Sequence, residues 1–158
     1  MSIWITTLVL LIELILVILG MMLIALGYCP VLAGEVRNAV VCSLFGAVGG
    51  CVYCLRGIYL NACVRKSWDI VWLPWYMIRP VVSLVLGGIS YLFVQSGLLL
   101  LGADQEPTSN QLGIWAIAFL AGLNVDKFVA KIESIGQSVW GIEPSRQSNN
   151  NGTSETKE

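Results

Sequence analysis

The sequence predicts an all-α polytopic membrane protein: four transmembrane helices, a C-terminal amphipathic helix and a disordered tail. Three observations lead there. The mean hydropathy is +0.77 with 12% charged residues, too apolar for a soluble globule. Four segments approach the ~20 apolar residues that a helix needs to cross a ~30 Å hydrocarbon core. Basic residues crowd some connections and leave others bare. At 158 residues the chain has room for one domain, expected over 1–143, with 144–158 as a cytoplasmic tail.

The first segment, 3–26, has no basic region before it, exceeds the apolar stretch of a signal peptide and is followed by no small-x-small cleavage site. It therefore reads as an uncleaved span. The stretch "LGYC" ending at Cys29 has a lipobox-like spacing, but Tyr28 is too large for the place before the cysteine. The second segment is 38–60 and the third 80–101. Ahead of the third stands "RP": Arg79 is expected to anchor at the cytoplasmic threshold, with Pro80 at the first helical position, where a missing N–H costs nothing. The fourth segment, 111–129, is short, because Asp126 and Lys127 interrupt it.

From about 124 to 141 the apolar residues Val125, Phe128, Val129, Ile132, Ile135 and Val139 share a helical face, with Asp126, Lys127, Lys131 and Glu133 mostly away from it. Two roles fit such a helix. It lies on the inner leaflet with Trp140 as end anchor, or it docks a cytoplasmic partner. The tail beyond Pro144 is polar and without apolar anchors, a composition that stays disordered.

Arg65, Lys66 and Arg79 flank the second connection, and Lys127, Lys131, Arg146 and Lys157 follow the last span. Only Arg37 falls in the other loops, and "GADQEP" at 102–107 carries acids and no base. The positive-inside rule then sets both termini in the cytoplasm of a multi-pass inner-membrane protein. Trp68, Trp72, Trp75, Trp4 and Trp140 gather at the inner level and Trp115 at the outer one, as membrane anchors do.

Two charges fall deep in the spans. Counted from the cytoplasmic side, Glu13 and Arg56 lie at similar depth, roughly 13 to 15 Å in, where an unpaired charge costs roughly 2.5 to 3.5 kcal/mol. Either they form an intramembrane ion pair, or copies of one of them line a wet pathway. Cys42, Gly46, Gly50 and Cys54 recur every four residues as a small-residue ridge, echoed by Ser83 and Gly87 and by Ala118 and Gly122. So many ridges in one small chain point to a homo-oligomer.

No enzyme is expected, and no cofactor or metal. The chain has no histidine, no phosphate loop and no paired carboxylates at a plausible site. Cys51 and Cys54 make a CxxC, but a thiolate in the bilayer is disfavoured, and the second cysteine pair of quinone-linked disulfide oxidases is absent after Cys63. The basic residues are few and already required by topology, so nucleic-acid binding is not expected. The sequon at Asn151 falls in the cytoplasmic tail.

"WYMIRP", then Gly87, Tyr91 and Gly97, then "AIAFLAGLNVDKF" resemble a pattern of small bacterial inner-membrane proteins of mostly unassigned function. The likeness covers roughly 72–135. By architecture alone the chain also resembles membrane components of phage-defence systems, a likeness that implies permeabilising or guarding the membrane. The leading expectation is an oligomeric channel or permeabilising effector in the bilayer. The alternative is a non-conducting sensor or scaffold that docks a cytoplasmic protein through its C-terminal helix.

Overall fold

The computed structural model describes residues 3–28, 34–66, 70–97 and 111–141. Trp68, Cys29, the 102–107 connection, Arg146, Lys157, Asn151 and the 144–158 tail lie outside them. The described residues are helical: α1 (Ile3–Ala25), α2 (Glu35–Tyr59) continued by a π-helical turn (Leu60–Val64), a 3-10 turn (Ile70–Trp72), α3 (Leu73–Gln95), α4 (Gln111–Leu123) and α5 (Val125–Trp140). Three are long and apolar enough to cross a membrane, or four if α4 and α5 make one broken span. By contacts the chain forms two units, Met1–Val125 and Asp126–Glu158.

α1 is the most apolar helix and the least covered. Its shielded residues recur every three or four positions, from Ile3 and Thr6 through Leu10, Glu13, Val17 and Gly20 to Ile24. That spacing draws one seam down the helix, and the seam packs chiefly on α2. Apart from the half-buried Leu14, the remaining leucines and isoleucines are exposed, as a lipid-facing surface would be. The helix stops at Gly27, whose φ is 79°. The amide of Tyr28 donates to the Leu23 carbonyl and that of Gly27 to Ile24, an αL stop that glycine permits.

α2 is the central helix, packed by α1, α3 and α4. Its small residues all find intramolecular partners. A Cβ on Gly46 would lie 2.8 Å from the Gly87 Cα, and one on Gly122 would lie 2.8 Å from the Gly46 Cα. Three backbones thus converge on Gly46, one from each of α2, α3 and α4. Cys42, Tyr91 and Ala118 form a buried cluster on one side of this point, while Leu10, Cys54, Ile58 and Tyr76 form another towards the end where α2 stops and α3 starts. Ser83, fully buried, donates from Oγ to the Gly122 carbonyl at 3.0 Å. Gly50 leaves room for the Ser83 side chain, whose Cβ a methyl there would approach to 2.6 Å.

The ridges expected to meet a second copy therefore meet one another. In a bilayer, where hydrophobic drive between helices is small, close backbone approach and interhelical hydrogen bonds would hold such a core together.

α3 corrects the expected start of the third span. It begins at Leu73, with Pro74 in its first turn, and Pro80 lies inside it. The fourth segment is also shorter than 111–129: α4 ends at Leu123, and Asn124 breaks the chain into α4 and α5. At ~1.5 Å per residue, α4 reaches only ~20 Å. α5 is the strongly amphipathic helix expected of 124–141, and none of its residues is buried. Phe128, Ile132 and Ile135 are half-shielded, while Val139 and Trp140 are exposed.

Candidate functional site

Where α2 ends and α3 begins, a cavity of about 490 Å³ is bordered by Tyr53, Arg56, Asn61, Arg65, Trp72 and Trp75, among others. Local helix geometry builds it. Arg56 and Arg65 are nine residues apart, and at about 100° per residue a regular helix would set them on opposite faces. The π turn intervenes: the Arg65 amide donates to the Leu60 carbonyl at 2.8 Å, an i→i+5 bond. Each such turn holds about one residue more than an α-turn and rotates the residues beyond it back by about 100°. Both arginines consequently border one cavity.

The aromatic wall is cross-braced. Tyr53 and Trp75 have ring centroids 5.7 Å apart, and Trp75 meets Tyr76 edge-on at 5.2 Å. Behind the wall lies Arg79, its guanidinium 3.8 Å from the Tyr53 ring centroid and 4.5 Å from that of Trp75. Such stacking stabilises a desolvated guanidinium by up to about 2 kcal/mol. Arg79 is 5% exposed. It is a buried stacked cation within α3, not a side chain reaching outward from a helix start. Asn61 completes the rim, its Nδ2 donating to the Tyr76 hydroxyl at 3.0 Å.

Glu13 and Arg56 do not come together. Glu13 lies half-buried in the α1 seam that packs on α2. Arg56 is exposed. Two residues along a helix are about 200° apart, so the face that Cys54 turns to α1 is not the one from which Arg56 leaves. Among the described residues no ion pair joins the two. Of the expected anchors, Trp72, Trp75 and Trp140 are exposed, whereas Trp115 is half-shielded and stacks on Phe45 at 5.5 Å.

At the other end of the helices a polar clasp joins α2 to α3. The Tyr91 hydroxyl donates to the Glu35 carboxylate, and Gln95 Nε2 donates to the same oxygen at 3.1 Å. The Glu35 charge also suits the first turn of α2, where the helix dipole is positive. A larger cavity of about 600 Å³ lies beside it, lined by Met21, Met22, Ile24, Phe45 and Trp115, with Arg37 its one charged residue among the described ones. It is a mostly apolar groove between α1 and the other helices, with Arg37, Asn38 and Gln111 as polar members of its lining.

Sequence reasoning misses the arginine cavity because its register depends on the π turn, and misses Gly49, which packs on the Phe119 and Leu123 backbone of α4. Gly49 adjoins Gly50, and its place on a second face of α2 is the signal that could have found it. No known protein family, characterised protein or solved structure matches the chain.

Proposed function

We propose that the protein is a non-conducting membrane scaffold that holds a cytoplasmic partner through α5. The observation that carries this reading is the closure of the helix core at Gly46, where the α3 and α4 backbones approach too closely for a lumen. The position of Glu13 supports it as well. A carboxylate in the seam between α1 and α2 is turned away from any pathway that copies of the chain could form around an outer face. α5 supplies the docking element, because its apolar stripe has no buried member.

In this reading both termini face the cytoplasm of a bacterial inner membrane, with Arg65, Lys66, Lys127 and Lys131 on the inner side. Reporter fusions after residues 60 and 135 then read cytoplasmic, and one at residue 106 reads external. Docking is tested by Ile132→Asp with Ile135→Asp. The pair leaves membrane insertion intact and abolishes co-purification of a cytoplasmic protein with wild-type membranes; equal recovery with the pair would remove α5 from that role.

A second reading is the oligomeric channel. It is favoured by the breadth of uncovered α1 surface, on which copies of the chain could assemble.

A further inference from the structure

We propose that the cavity bordered by Arg56 and Arg65 is a binding site for a phosphate group, presented by an anionic phospholipid of the leaflet into which it opens. Charge supports a phosphate. Two guanidinium groups border the cavity, and among the described residues no carboxylate lines it and neither arginine has an ion-pair partner. Guanidinium recognises phosphate through paired, charge-assisted hydrogen bonds. Arg79, stacked behind the Tyr53 and Trp75 wall, adds a third positive charge to the field at the cavity without entering it.

The surroundings make the phosphate a lipid's. Trp72 and Trp75, both exposed, and Leu60 line the cavity at the level where α2 ends and α3 starts. Tryptophans at that level sit among headgroups, and basic pockets between spans take anionic headgroups there. Acyl chains can run along the apolar rim while the phosphate meets the arginines. The π turn acquires a role in this arrangement: it carries Arg65 to the face of Arg56, which a regular helix would not do.

The test is native mass spectrometry of the full-length protein released from micelles holding equal phosphatidylglycerol and phosphatidylcholine. Wild type retains phosphatidylglycerol with about tenfold preference, a difference of about 1.4 kcal/mol. Arg56→Gln with Arg65→Gln removes the preference, Arg56→Lys with Arg65→Lys keeps part of it, and Arg37→Gln leaves it unchanged. Deleting Ala62, which converts the π turn to an α-turn, also removes it although both arginines remain. Equal retention of the two lipids by wild type, or an undiminished preference in the double glutamine variant, would overturn the site. Displacement of the lipid by millimolar inorganic phosphate would show that the phosphate comes from a soluble ligand, and would overturn the lipid assignment.

Discussion

The Cys54 thiol donates to the backbone carbonyl of Tyr76 at 3.8 Å, and Tyr76 stands four residues before Pro80. A proline inside a helix has no N–H for the carbonyl four residues back. Here a sulfur from the neighbouring helix supplies a donor to that carbonyl.

Replacing Cys54 by alanine removes both the buried sulfur and this bond, and costs about 1 to 2 kcal/mol. Cys54→Ser keeps a donor and loses less. Cys63→Ala, at an exposed position, changes nothing measurable. Unfolding of the three variants in one detergent, with wild type as reference, ranks them.

Gly122→Ala and Gly87→Ala each set a methyl against the Gly46 backbone, where nothing can yield. Overpacking of this kind destabilises by about 3 kcal/mol or more. Gly113→Ala, with nothing within 4 Å of its added methyl, is the control. The same assay run over a range of protein-to-detergent ratios shows a loss independent of concentration, because the contacts lie within one chain. A loss that vanished on dilution would return the ridges to an interface between copies.

The helices and their small-residue ridges are legible in the sequence because both arise from local spacing: ~20 apolar residues make a span, and glycine every fourth position makes a ridge. The partners of the ridges are not local. Gly46 contacts Gly87 and Gly122, pairings that spacing alone does not choose. Pro80 misplaces the third helix when it is taken as a start signal, because Pro74 holds the same signal one turn and a half earlier. Arg79 is misread with it, since its stacking on Tyr53 and Trp75 joins residues of two helices. Arg56 and Arg65 are separated by an angle that only the π turn corrects, and no composition rule announces one.

With no ion pair between them among the described residues, Glu13 and Arg56 are expected to be energetically independent. The effects of Glu13→Gln and Arg56→Gln on stability add, with a coupling below about 0.5 kcal/mol in a double-mutant cycle. A larger coupling would restore the ion pair that the geometry denies.

Tyr91 and Glu35 behave in the opposite way. Tyr91→Phe removes a hydrogen bond to a charged acceptor and costs about 1 to 2 kcal/mol, and Glu35→Gln overlaps with it instead of adding. Thermal unfolding of the two single variants and the double variant measures that overlap directly.

Ion flux from liposomes reaches the central claim of a closed, non-conducting core. Purified protein is reconstituted at about one copy and at many copies per vesicle, and potassium, sodium and proton flux are followed after a potential is applied. The account predicts no flux above protein-free vesicles at either density, for wild type and for Glu13→Gln alike. A flux that rises with copy number and changes its cation selectivity on Glu13→Gln would contradict it.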